Sequence, residues 1–79
     1  MINKKALGSF IQKGRKARGL RQDQVSAKTS LSRNYISDIE NGRYTPSVEA
    51  LSRLAIALKL DLNVIKMTEI QVGDDYGDT

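Results

Sequence analysis

Gln22-Asp23-Gln24-Val25-Ser26-Ala27-Lys28-Thr29, then Ser30-Leu31-Ser32, then Arg33-Asn34-Tyr35-Ile36-Ser37-Asp38-Ile39-Glu40 is the stretch on which the reading of this chain turns. Its first segment, residues 22–29, places Val25 inward with Ser26 or Ala27 beside it. Ser30 and Leu31 leave room only for a tight connection. Ser32 is a natural N-cap for the next segment, because its hydroxyl can accept from a free N–H of the first turn. That segment, residues 33–40, turns Ile36 and Ile39 to one side and leaves Arg33, Asn34, Ser37 and Asp38 on the other. Asn41-Gly42 ends it, since both residues tolerate positive φ. The stretch predicts two short helices, with hydrogen-bonding groups on the free face of the second.

Upstream, Leu7, Phe10, Ile11, Gly14 and Arg18 recur at one helical face, predicting a helix from about Lys5 to Arg18 closed by Gly19. Gly14 inside it costs about 1 kcal/mol relative to alanine, which a closely packed neighbouring segment would explain. Downstream, Thr45-Pro46-Ser47 opens a fourth helix with Thr45 or Ser47 as cap, and Val48, Leu51, Leu54, Ala55 and Leu58 form its apolar stripe. Leu60-Asp61 turns the chain, and Asp61 caps a short fifth helix through Leu62 and Ile65 to about Met67. Nothing before residue 68 alternates with period two, so residues 1–67 read as an all-α, compact five-helix domain. Residues 68–79 differ: Thr68-Glu69-Ile70-Gln71-Val72 alternates, and the rest is patternless and acidic. This tail is either a frayed end or a short arm that pairs with a second subunit.

Composition narrows the function. A chain of 79 residues makes one small domain, burying roughly 60% of its unfolded surface. It has no cysteine and no histidine, which excludes disulfides, zinc fingers, the usual catalytic zinc sites and Ser-His-Asp or Cys-His nucleophiles. With so little room to wall off a reaction, no enzyme activity, metal or cofactor is expected. Through Met67 there are thirteen Lys/Arg against five Asp/Glu, a net of +8, while the tail holds four acids and no base. A compact domain of that charge attracts polyanions, meaning nucleic acid or an anionic membrane. The longest apolar run, Leu54-Ala55-Ile56-Ala57-Leu58, falls far short of the ~20 residues that span a bilayer. No apolar stretch follows Lys4 and Lys5, so no signal peptide is expected. No membrane partner is expected either, and cytoplasm is the default location.

Two helices joined by so short a turn match the helix-turn-helix unit, whose second helix enters the major groove of DNA. The stretch Leu7–Ile65 resembles the phage-repressor/Cro-like helix-turn-helix family, the XRE type. The resemblance lies in Gly19-Leu20, Gln22-Asp23-Gln24-Val25, and the run from Leu31 through Ser32-Arg33-Asn34-Tyr35-Ile36-Ser37-Asp38-Ile39-Glu40 to Asn41-Gly42-Arg43. Pro46-Ser47-Val48 and Leu51-x-x-Leu54-Ala55-x-Ala57-Leu58 complete it. Four ordered blocks at these separations are specific. Size and the Arg-Asn-Tyr-Ile-Ser string look most like small restriction-modification controller proteins, with single-domain phage repressors as near rivals. Arg21 stands where the family often has a capping Ser or Thr, and arginine cannot cap. Ser30 replaces a frequent turn glycine, and Gly14 a commonly larger residue.

The resemblance implies a lambda-repressor-like fold and roles for single positions. Arg33, Asn34, Ser37 and Asp38 fall where the family reads bases. Chemistry agrees, since arginine can fork onto guanine O6 and N7 and asparagine onto adenine N6 and N7. Asp38 either accepts from cytosine N4 or orients Arg33 or Asn34. Gln22, Ser32, Tyr35, Asn41 and Arg43 suit phosphate contacts that set register. Arg15 and Glu40 correspond to an internal salt bridge. A transcriptional regulator binding a (pseudo)palindromic double-stranded DNA operator as a homodimer is therefore expected, with a dimer surface from Leu62, Val64, Ile65, Met67, Ile70 and Val72. The alternative is an antitoxin or transcription-bridging factor whose main partner is another protein.

Overall fold

The computed structural model describes residues 3–60. Among them the chain forms four α-helices and no strand: α1 (Lys4–Ala17), α2 (Gln22–Thr29), α3 (Arg33–Glu40) and α4 (Val48–Leu58). The expected fifth helix, from Asp61 to about Met67, lies outside the described residues. So do the acidic tail and the six positions expected at a dimer surface, Leu62, Val64, Ile65, Met67, Ile70 and Val72. Four helices, not five, are therefore the architecture of residues 3–60.

Three helices start on a side-chain cap. Asn3 Oδ1 accepts from the Ala6 N–H, Ser32 Oγ from Tyr35 and Ser47 Oγ from Ala50, each at 3.0–3.1 Å. Ser47, not Thr45, thus caps α4. At α2 the guanidinium of Arg21 has no acceptor to offer, and Gln24 serves instead by reaching back to the Arg21 N–H at 2.8 Å. This is half of a capping box.

All four helices end on a residue in the left-handed region: Gly19 (φ +69°), Ser30 (+64°), Gly42 (+77°) and Lys59 (+53°). At α1, α3 and α4 the two bonds of a Schellman motif follow. Leu20 N–H donates to Arg15 O, Arg43 to Asp38 O and Leu60 to Ala55 O, at 2.9–3.2 Å. These endings reverse the chain within two or three residues, so the helices stack on one another.

The core is Leu7, Ile11, Val25, Ile36, Ile39, Leu51, Leu54 and Leu58, with Phe10, Leu20, Leu31, Tyr35 and Leu60 half-buried around it. Pro46 is also fully buried, fixing the entry to α4. Helix α1 lies against α3, and α2 sits between α3 and α4. Helices α1 and α3 approach closely at Gly8, where a Cβ would stand 2.2 Å from Ile39 O. The close neighbour expected at Gly14 is there too, as the Leu60 side chain.

Two positions assigned inward by periodicity face solvent. Arg18 is exposed and donates to Gly14 O and Lys59 O, tying the end of α1 to the end of α4. Val48 is 51% exposed because the stripe of α4 is centred on Ala50, Leu51, Leu54 and Leu58, one position round from the expected one.

Candidate nucleic-acid interface

Helix α3 carries the expected face. On a 3.6-residue turn, positions 33, 34, 37 and 41 fall within about 100° of one another, while 36 and 39 turn away from them. Ile36 and Ile39 are fully buried, while Arg33, Asn34 and Asn41 are exposed and Ser37 is half-buried. Neither Arg33 nor Asn34 makes an ion pair or side-chain hydrogen bond to another described residue, so their donors and acceptors are open to a ligand. The Ser37 hydroxyl accepts only a long bond, 3.4 Å, from Asn41 Nδ2 and keeps its own proton to donate. These four side chains form a continuous polar strip on a helix held from behind.

The turn that presents this strip is fastened by hydroxyls. Ser26 Oγ donates to Leu31 O at 2.6 Å, Thr29 Oγ1 donates to Val25 O at 2.8 Å, and Leu31 N–H returns to Thr29 Oγ1 at 3.2 Å. Ser26 is the small residue that the turn demands. Thr29, buried and bonded on both sides, is a fastener that the sequence reading missed, because a threonine at a helix end gives no periodic signal.

At the far end, Arg15 and Glu40 make the expected pair. Arg15 Nε meets Glu40 Oε2 at 2.7 Å and the second guanidinium nitrogen meets Oε1 at 2.9 Å, with the Glu40 side chain 1% exposed. Hydrogen bonding to Glu40 pushes the Arg15 pKa above its ordinary value against the opposing effect of burial, so the guanidinium stays charged. Arg15 also donates to Leu20 O at 2.9 Å, binding the α1–α2 connection. Gln22 joins this cluster through Nε2 to Glu40 Oε1 at 3.1 Å. The glutamine expected at a phosphate is thus anchored to α3, with its carbonyl oxygen and second N–H uncommitted among the described residues.

The other expected phosphate contacts surround the strip. Ser32 is spent as the N-cap of α3, which leaves its hydroxyl proton free. Tyr35 is half-buried and its hydroxyl accepts from the Ser47 N–H at 3.3 Å, so it braces the entry to α4 and still has a proton to donate. Arg43 lies just past the Gly42 reversal and is folded back onto α3, where its guanidinium meets Asp38 Oδ1 at 3.1 Å. Asp38 therefore pairs with Arg43 and not with Arg33 or Asn34, the partners named in one of its two expected roles: the Schellman turn returns residue 43 to the level of residue 38. Beside them Tyr44 is 54% exposed.

Two further arginines sit at the ends of α2. Arg53 donates to Thr29 O at 3.2 Å and to Glu49 at 2.7 Å, completing the C-terminus of α2. At the start of α2, the Arg21 guanidinium holds the Asp23 carboxyl below the usual carboxylate range. No group of three or more His, Cys, Asp or Glu among the described residues can hold a metal ion. No helix among them is long and apolar enough to cross a membrane.

The family model described as helix-turn-helix matches residues 11–65. The ImmF control region 10 kDa protein of Bacillus phage phi105 is 52% identical over 77 residues, 98% of this chain and 86% of that protein. The immunity repressor protein of the same phage is 36% identical over 72 residues, and this chain spans half its length. The crystal structure of the restriction-modification controller protein C.AhdI from Aeromonas hydrophila superposes with a TM-score of 0.68 at 28% identity, over 72% of this chain and 86% of that one. With α2 and α3 in place and α3 presenting its polar strip, this chain belongs to the helix-turn-helix family of the XRE type and is a DNA-binding transcriptional regulator.

Proposed function

We propose that this protein controls transcription as a homodimer on a (pseudo)palindromic operator, each copy laying α3 in the major groove. The observation that carries the reading is the free strip of Arg33, Asn34 and Ser37 opposite buried Ile36 and Ile39. Arg33 and Asn34 read base edges, with Ser37 between them. Ser32, Gln22, Tyr35, Asn41 and Arg43 contact the flanking phosphates, where donors from side chains and helix N-termini set the register.

One recognition helix covers too few base pairs to single out a genomic site, so two copies are needed, with half-sites about one helical turn (~34 Å) apart. The dimer surface is supplied by Leu62, Val64, Ile65 and Met67, together with Ile70 and Val72 of the acidic tail. The protein works in the cytoplasm, without cofactor or enzymatic activity. The strong similarity to a phage control-region protein over nearly the whole chain favours a role in a phage immunity switch over restriction-modification control.

Selection of random duplexes by the purified full chain tests this reading, paired with sedimentation of the protein alone and on the recovered site. A two-fold symmetric sequence bound by two copies is expected. Recovery of no preferred sequence refutes the base-reading assignment, and a strict monomer on the recovered site refutes the dimer.

A further inference from the structure

Asp38 is an acid on a surface that must meet phosphate. Its carboxylate is one-quarter exposed and reaches the guanidinium of Arg43, itself 71% exposed, at 3.1 Å. The contact is built in by the backbone. Gly42 in the left-handed region lets Gly42 N–H bond Ile39 O at 3.0 Å and Arg43 N–H bond Asp38 O at 2.9 Å. Residue 43 is thereby returned beside residue 38 whatever the side chains do. A carboxylate and a phosphate oxygen offer a guanidinium the same kind of charge-assisted bond.

We propose that Asp38 is an internal competitor for the phosphate bound by Arg43, and so an affinity-setting residue and not a base reader. This inference rests on the phosphate role proposed above for Arg43. In free protein the guanidinium is occupied by Asp38; on DNA it exchanges the carboxylate for a backbone oxygen. The exchange is the same at every sequence, because phosphates are alike. Asp38 thus lowers binding to all duplexes by a common factor and leaves the choice of base to Arg33, Asn34 and Ser37. An exposed ion pair is weak, so the factor is small, about two- to fivefold.

The test is a mutant cycle of wild type, Asp38→Asn, Arg43→Gln and the double variant. Anisotropy titrations are made over a range of salt on the operator recovered by selection and on a random duplex. Asp38→Asn is expected to tighten both duplexes by the same two- to fivefold in the wild-type background and to change nothing when Arg43 is already Gln. Equal tightening in both backgrounds would reduce Asp38 to general charge repulsion and overturn the proposal. A shift in operator preference on Asp38→Asn would make it a base reader and overturn it too. If wild type binds DNA but Arg43→Gln leaves the salt slope unchanged, the phosphate role and the competition fall while the regulator reading stands. If none of the four binds duplex DNA, both fall together.

Discussion

Gly8 is where the position of the recognition helix is most exposed to a single methyl group. A Cβ there would stand 2.2 Å from Ile39 O, 2.9 Å from Glu40 O and 3.1 Å from Glu40 C, all backbone atoms of α3. An ordinary carbon–oxygen contact is about 3.3 Å or more, so Gly8→Ala forces α1 and α3 apart by about 1 Å. No side chain can swing away to absorb this, and the separation opens the seam where Leu7 and Ile11 meet Ile36 and Ile39. Overpacking of this kind costs about 3 kcal/mol at the upper end of its range, from which the helix preference for alanine returns about 1. The net destabilisation expected is about 2 kcal/mol, a large part of the total of about 4–12 for a domain of this length. Urea unfolding followed by circular dichroism at 222 nm measures it, since the chain has no tryptophan. Gly14→Ala is the control: its nearest neighbour is the Leu60 Cδ2 atom at 2.5 Å, the end of a flexible side chain. That variant should match wild type or gain up to about 1 kcal/mol. A Gly8→Ala protein as stable as wild type would refute the claim that the α1–α3 distance is fixed by backbone contact.

Ser30 occupies a left-handed conformation that costs a residue with a side chain about 1–2 kcal/mol, against which glycine loses about 0.5–1 through its freer unfolded chain. Ser30→Gly should therefore raise stability by about 0.5–1 kcal/mol, read as a higher urea midpoint at unchanged slope. Glu40→Ala strands the Arg15 guanidinium and should cost about 3–5 kcal/mol, whereas Arg15→Met combined with Glu40→Leu should come close to wild type. Because the Arg15 pKa is raised, its share of that stability is complete at any pH below its ordinary value and is lost only as pH climbs through the folded one. The Glu40→Ala penalty measured at pH 7 and at pH 9 should agree as far as Arg15 decides it. Arg33→Ala should weaken operator binding by about 1–3 kcal/mol and blur preference at one base pair, while binding to random duplex falls less. An unaltered preference in competition would remove Arg33 from the base readers.

What the sequence makes legible is what local chemistry decides. Ser32, and Thr45 or Ser47, announce helix starts because a hydroxyl before an apolar run has one good use, and Gly19 and Gly42 announce ends because few residues accept positive φ. Lys59 adopts the same conformation with no such advertisement, held by Leu60 N–H to Ala55 O and by Arg18 on its carbonyl. Periodicity misplaces Val48 and Arg18 for a related reason: a stripe one residue wide fits two faces of a helix, and only the neighbouring helices choose between them. Gly8 carries no hydrophobic signal at all, so its backbone contact is invisible until α3 is in place. At the site, the outward face of α3 is readable from Ile36 and Ile39 alone, but the Asp38–Arg43 pair is not. Two residues five apart would sit on different sides of a continuing helix, and it is the Gly42 reversal that brings them together. This bears on where specificity resides. An eight-residue helix has little stability alone, and α3 is fixed at its start by Ser32 and Tyr35 and at its end by Arg15 and Gln22 on Glu40. The side chains that would read DNA are on α3, but the angle at which they arrive is set by α1, α2 and the entry to α4. Exchanging Arg33, Asn34 and Ser37 for other polar residues should therefore change which bases are chosen without changing stability by more than about 0.5 kcal/mol each.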